Sequence, residues 1–181
     1  MRVTTWNVNS IRSRLDRVVD WLGRREPQVL GLQEIKVTDD IFPRDAFESL
    51  GYHVETYGQK TYNGVALITQ SAPTDVVRGF GEGEGEQARL IAGRVDGVAV
   101  VCVYVPNGQD VESDKFPYKL AWLEKLRLFL DDWASPDEPL LLMGDFNIAP
   151  DERDLYDPEG WRGKVHFHPD EHAALGRIQA W

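Results

Sequence analysis

Apolar positions along this chain switch between two spacings, and the switching predicts an α/β fold. Residues Val3 to Val8 read as a strand. Asn9 or Ser10 is placed to cap a helix whose stripe of Ile11, Leu15, Val18, Val19 and Leu22 keeps helical spacing, with Arg and Asp between. Gly23 to Pro27 ends that helix, and Gln28 to Glu34 reads as a second strand, giving a βαβ-like opening. Pro43 to Leu50 predicts a short helix stopped by Gly51, and Tyr52 to Tyr57 and Gly64 to Thr69 read as strands. Asp96-Gly97 joins Arg89–Val95 to Val98–Tyr104 as a hairpin, because both turn residues suit a type I′ turn. Phe116 to Trp133 predicts a long amphipathic helix with Phe116, Leu120, Leu123 and Leu130 facing inward. Beyond Pro136 and Pro139, the run from Leu140 to Met143 continues into Gly144, Asp145, Phe146 and Asn147. An unbroken apolar run of this kind predicts a buried, parallel-type strand. Ala149 to Gly163 is loop-like, and Pro169 to Trp181 predicts a last helix with Asp170 and Glu171 near its positive end.

Strands outnumber helices, and hairpins sit inside an α/β frame. The expected fold class is therefore α/β of the α+β type: two packed mixed sheets flanked by helices. With 181 residues and no repeat or linker, a single domain over 1–181 is expected. Hydrophobic content of 42% and charged content of 28% fit a globular chain, not a disordered one. No apolar run approaches the length of a transmembrane helix, and the N-terminus goes straight into a strand pattern, so neither a membrane partner nor a signal peptide is expected. The single cysteine, Cys102, cannot form an internal disulfide, which fits a reducing cytoplasm; it lies in an apolar run as a buried structural thiol. The net charge of −10 argues against a broad DNA-coating role.

Candidate chemistry gathers at strand ends, where ligands sit in α/β sheets. The first strand ends at Asn7, the second at Glu34, the hairpin at Tyr104 with Asn107 just beyond, and the late strand at Asp145 with Asn147. Taken singly, each is an ordinary solvated or turn-forming residue. Together they suit one task. Glu34 and Asp145 are hard oxygen ligands of the kind Mg²⁺ takes. Asn7 and Asn147 add neutral amides, and Tyr104 offers a phenol able to stabilise a developing oxyanion. The set suits metal-assisted phosphodiester hydrolysis. The Gly79–Glu86 segment does not suit phosphate binding, because its glutamates repel phosphate and a strand follows it.

Six segments stand in order along the chain: Trp6-Asn7-Val8-Asn9-Ser10-Ile11-Arg12, Leu32-Gln33-Glu34-Ile35-Lys36, Asn63-Gly64-Val65-Ala66-Leu67, Tyr104-Val105-Pro106-Asn107-Gly108, Phe116-Pro117-Tyr118-Lys119 and Gly144-Asp145-Phe146-Asn147-Ile148-Ala149-Pro150. Together they resemble the exonuclease III class of abasic-site endonucleases, within the endonuclease/exonuclease/phosphatase superfamily. The resemblance spans nearly the whole chain. It implies Mg²⁺ (or Mn²⁺), a monomer acting on duplex DNA with abasic sites or 3′ ends, and 3′-to-5′ exonuclease and abasic-site incision activities in base-excision repair. It implies that Asn7, Glu34, Asp145 and Asn147 form the metal-holding set, with Glu34 the main ligand and Asn7 its support. It further implies that Tyr104 is the phenol near the scissile phosphate, Asp145 the acid/base that activates water, and Asn147 the stabiliser of the transition state. Asn107 would touch phosphate and Lys36 would balance the acids. Arg12 and Lys60 are weaker candidates for the DNA backbone.

The resembled pattern runs on into a further Asp-bearing strand and a final Ser-Asp-His strand, and no Ser-Asp-His triplet occurs in this sequence. The expectation is accordingly a C-terminally truncated domain lacking its final strands, with impaired activity of these 181 residues alone. His166, His168 and His172 lie close enough in sequence to suggest a Zn²⁺ site, but the resemblance places an ordinary helix start there. Two other functions remain open. One is another phosphodiesterase or phosphatase of the superfamily, such as an inositol-phosphate phosphatase or a sphingomyelinase. The other is a non-catalytic DNA-binding fragment.

Overall fold

The structure is a computed structural model that describes residues 1–83 and 85–181. Of the glutamates in the Gly79–Glu86 loop, Glu84 lies outside the described residues. The chain forms two compact units, one of Met1–Tyr104 with Glu138–Asp145 and one of Val105–Asp137 with Phe146–Trp181.

The first unit holds both sheets. Sheet A has the order β1-β2-β4-β3, from Val3–Asn7, Val29–Gln33, Val65–Thr69 and His53–Tyr57. Sheet B has the order β5-β6-β7-β8, from Thr74–Arg78, Leu90–Val95, Val98–Tyr104 and Leu140–Asp145. Each sheet is mixed: β1 runs parallel to β2 and β7 parallel to β8, and the other pairs are antiparallel. Strand β2 is buried at every position because both its faces are covered. Leu30 and Leu32 pack against Ile11, Val18 and Leu22 of helix α1 (Ile11–Arg25) and Phe47 of α2 (Arg44–Glu48). Val29, on the opposite face, joins Val65 and Leu67 against Ile91, Val100, Cys102 and Met143 of sheet B. The sheets approach closely at Gly31, where a Cβ would lie 2.7 Å from Met143 Cε and 2.9 Å from Cys102 Sγ. The Asp96-Gly97 turn has positive φ at both residues, 51° and 78°, as type I′ requires.

Three local expectations are corrected. Ser10 stands at the start of α1 but makes no side-chain capping bond; its N–H donates to Glu34 O at 2.7 Å. Leu140 to Leu142 are only half-buried, because β8 pairs with β7 alone among the described residues and only Met143 points fully into the core. Strand β5 was not expected; its Thr74-Asp75 start is exposed, and as an edge strand it carries no continuous apolar run.

Cys102 is fully buried, and its Sγ accepts from Gln33 Nε2 at 3.1 Å. Burial pushes the thiol up to about 12, against which the Gln33 hydrogen bond works in part. The folded protein is expected not to react with a disulfide reagent at about pH 8, where the thiolate is the reactive form, and to release one equivalent of thiol on denaturation. Stoichiometric labelling of the native state overturns this.

In the second unit, α3 (Lys115–Trp133) packs on α5 (Pro169–Gln179), with the short helix α4 (Pro158–Trp161) between them in sequence. The buried face of α3 holds Phe116, Trp122, Leu123, Leu126 and Leu130, and also Lys119. Leu120, expected to face inward, is half-buried. Helix α5 starts with a reciprocal cap: His168 accepts from Asp170 N, and Glu171 accepts from His168 N.

Candidate active site

The parallel pairings align the strand ends. Asn7 is opposite Gln33 at the end of β1 and β2, and Tyr104 is opposite Asp145 at the end of β7 and β8. Strand β1 contacts β8 across the two sheets, so both pairs of ends meet. Asn7 joins them: its Nδ2 donates to Glu34 Oε1 and to Asp145 Oδ2, each at 2.8 Å. Its Oδ1 accepts from Asn9 N at 3.0 Å, which orients the amide with its nitrogen toward the two carboxylates.

Glu34 lies one residue past β2, at φ 54°. That left-handed turn lets a strand that is buried on both faces release a carboxylate at its tip. The turn is held on both sides: Glu34 O accepts from Ser10 N, and Ile35 N donates to Gly64 O. Lys36 Nζ reaches Glu34 Oε2 at 2.8 Å and Asn9 Oδ1 at 2.5 Å. Partial burial by itself raises the Glu34 carboxyl, but hydrogen bonds from Asn7, Lys36 and Tyr104 outweigh it, and the net shift is downward. Glu34 is therefore an anion at neutral pH.

Tyr104 responds in the opposite sense. Burial first, then the charge of Glu34 and the hydrogen bond to it, push the phenol up to about 12, although Arg89 works against this. The Arg89 guanidinium lies 4.8 Å from the ring centroid and donates to Tyr104 O at 3.1 Å. The phenol is a neutral donor throughout the physiological range. Because its pKa is raised, the folded state holds the proton more firmly than an ordinary tyrosine at 10.0. The resulting stability is fully present below pH 10 and is lost as pH rises toward 12. Spectroscopic titration of the protein minus that of Tyr104→Phe is expected to isolate a tyrosinate near the upper value; a midpoint at or below 10.0 refutes this.

Arg12, Lys36 and Lys60, with Ser10 and Thr38, line a cavity of about 420 Å³. It is a local concentration of positive charge on a chain of net charge −10. Among the described residues there is no cluster of three or more His, Cys, Asp or Glu able to hold a metal. A divalent cation here would meet two carboxylates, Glu34 and Asp145, joined by a neutral amide. That donor set fits a hard, oxygen-seeking cation that keeps several of its waters.

The remaining candidates lie in the second unit. Asn147, expected to share a strand face with Asp145, has instead left the strand, at φ 51°. Its Nδ2 donates to Val105 O at 3.0 Å, and its Oδ1 lies 3.4 Å from Asn107 Nδ2. Asn107 Oδ1 accepts from Gln109 N at 3.0 Å. The three histidines serve separate tasks. His166 Nδ1–H donates to Asn147 O at 2.6 Å, which leaves Nε2 to accept from Asn107 Nδ2 at 3.3 Å. His168 caps α5, and His172 Nε2–H donates to Ala149 O at 2.9 Å. Arg89 is a contact that motif reading did not supply, and His166, singled out in sequence only as a possible zinc ligand, instead holds the Asn147 turn; neither lies in one of the ordered segments.

The family model described as endonuclease/exonuclease/phosphatase matches residues 4–178. The chain belongs to this family. It is 35% identical to the exodeoxyribonuclease III of Haemophilus influenzae over 190 aligned positions, covering 98% of this chain and 71% of the relative. The solved AP endonuclease of Archaeoglobus fulgidus superposes with a TM-score of 0.94 at 38% identity, over 99% of this chain and 70% of that one. The Neisseria 3′ phosphatase NExo, solved with a product DNA hairpin, superposes at 0.95 with 42% identity, over 99% and 70%. Nucleases of the endonuclease/exonuclease/phosphatase family generally depend on a divalent metal, in keeping with the two-carboxylate donor set.

Proposed function

We propose that this chain carries the catalytic centre of a metal-dependent DNA nuclease of base-excision repair, trimming 3′ ends and incising at abasic sites. One observation carries the reading: a single amide, Asn7, is shared by Glu34 and Asp145 while the Tyr104 phenol donates to Glu34. An acid that stays ionised beside a phenol that stays protonated is a pairing suited to phosphodiester chemistry. Glu34 would hold the cation, supported by Asn7; Mg²⁺, with Mn²⁺ as substitute, suits so few carboxylates. When bound, such a cation neutralises phosphate charge and favours in-line displacement.

Asp145 accepts the proton of the attacking water. Tyr104 donates its O–H toward a phosphate oxygen as negative charge builds there. Asn107 and Asn147 hold phosphate oxygens with neutral donors. Lys36 offsets the acids, and Arg12 and Lys60 give the DNA backbone a basic surface that the net charge does not. The partner is duplex DNA, met by a monomer in a reducing cytoplasm.

The test uses the natural protein carrying this sequence, with a duplex holding one abasic site and a 3′-recessed duplex. Cleavage at the lesion or resection from the 3′ end is expected, lost on chelation and restored by Mg²⁺. Preferential hydrolysis of a phosphoinositide or of sphingomyelin overturns the DNA assignment.

A further inference from the structure

The second unit contains a buried ion pair that the roles above do not use. The side chains of Lys119 on α3 and Glu171 on α5 are 0% exposed, with Nζ and Oε1 2.5 Å apart. The same Nζ donates to the backbone carbonyls of Asn107, at 3.2 Å, and Asn147, at 2.5 Å. An ammonium has three N–H donors, and here they reach two separate turns and a carboxylate. A buried ion pair is a poor source of stability compared with apolar side chains of similar size. Its specific geometry is therefore the more informative feature.

That geometry is directed at two residues. Asn107 and Asn147 stand 40 positions apart, yet their side-chain amides lie 3.4 Å from one another. The turn after Asn107 is seated on the lysine stem: a Cβ on Gly108 would lie 3.1 Å from Lys119 Cδ and 2.9 Å from Val165 Cγ2. Asn147 is held in a left-handed conformation that non-glycine residues adopt at a cost. Its carbonyl is gripped by both Lys119 and His166. Glu171 is itself fixed, because its second oxygen accepts from His168 N and closes the α5 cap.

We propose that Lys119 is a positioning residue for phosphodiester cleavage: its ammonium, anchored by Glu171, holds the Asn107 and Asn147 turns so that their side-chain amides are set in place before phosphate arrives. The proposal rests on the phosphate-holding role given to those two amides. Lys119 acts through the turns and not on the substrate.

Two variants of the natural protein test it. Lys119→Met with Glu171→Leu removes both charges together, so that no buried ion is left unpaired. Lys119→Arg keeps the charge but replaces a compact head with a planar one, and it supplies a folded variant should the first fail to fold. The side-chain amide resonances of Asn7, Asn107 and Asn147 are followed by ¹⁵N NMR without metal, and kcat and KM are measured on the abasic duplex with Mg²⁺. In either folded variant the Asn107 and Asn147 signals are expected to move while those of Asn7 stay. The kcat is expected to fall by about tenfold or more with KM unchanged. In an Asn147→Ala background, the further loss of kcat shrinks, as coupled residues require. Unmoved Asn107 and Asn147 signals in a folded variant overturn the proposal, and so do moved signals with wild-type kcat. If the unmodified protein cleaves neither abasic duplex nor 3′ ends, the nuclease reading fails, and the amide signals still decide whether Lys119 positions the two turns.

Discussion

Asp145→Asn is expected to lower kcat for DNA cleavage by roughly 10²–10⁴-fold, the range for removal of a positioned general base. The KM for duplex is expected to stay within about twofold, because uniform binding is untouched. The substitution suits the question because the introduced amide oxygen can still accept from Asn7 Nδ2, which now serves Asp145 Oδ2 at 2.8 Å. Geometry is retained while charge and basicity go. Raising Mg²⁺ separates two roles: a deficit that persists at saturation marks Asp145 as the base, and recovery marks it mainly as a ligand. Activity within about tenfold of wild type at all Mg²⁺ concentrations would remove Asp145 from the mechanism.

Gly144→Ala is expected to destabilise the protein by about 3 kcal/mol or more, combining overpacking with backbone strain. A Cβ at this position would lie 2.0 Å from Val103 O and 2.8 Å from Val103 C, and φ is +150°. The obstacle is the backbone of the neighbouring strand, which pairs Val103 with Gly144 and Tyr104 with Asp145. A clash with backbone cannot be relieved by a rotamer change, so relief moves Asp145 as well. Denaturant unfolding is expected to show the loss of stability, accompanied by a fall in kcat. Gly23, inside α1, is the control: nothing lies within 4 Å of its Cβ position, and alanine there is expected to be neutral or slightly stabilising. Equal stability of the two variants would refute the close-approach argument.

Much of this arrangement was legible from residue order. Strand ends at Asn7, Tyr104 and Asp145 follow from where apolar runs meet polar groups, and the α1 stripe from Ile11 to Leu22 follows from its spacing. What stayed hidden depends on neighbours that periodicity does not specify. Leu140 to Leu142 are half-buried because their strand has one partner among the described residues, and an edge strand can carry the same letters as a central one. Thr74–Arg78 pairs with β6 through a register shift while exposing polar side chains, so its pattern is that of a loop. Lys119 occupies a helix position where charge reads as solvent-facing, and its burial is made tolerable by partners distant in sequence: the carboxylate of Glu171, 52 residues away, and the carbonyls of Asn107 and Asn147. Asn147 reads in sequence as the continuation of a strand; its left-handed turn emerges only once Val105 O and His166 are seen to hold it. Motif reading singled out the amides and acids by residue type and place, whereas the bonds by which Lys119 and His166 hold the Asn147 turn run to a backbone carbonyl, which side-chain types do not reveal.

The Asn7 amide also has a consequence for how the protein is made. It joins residues 27 positions apart when it meets Glu34, and 138 apart when it meets Asp145. Closing so long a loop must be offset before the contact yields any free energy, and chains dominated by distant pairings fold slowly. The Asn7–Glu34 half of the centre can form as soon as β1 and β2 pair, early in synthesis. The Asp145 half waits for the chain to return over 138 positions and for sheet B to dock. A nascent or partly folded chain therefore holds one carboxylate in place but not two, and any chemistry that needs both carboxylates is a late reporter of folding.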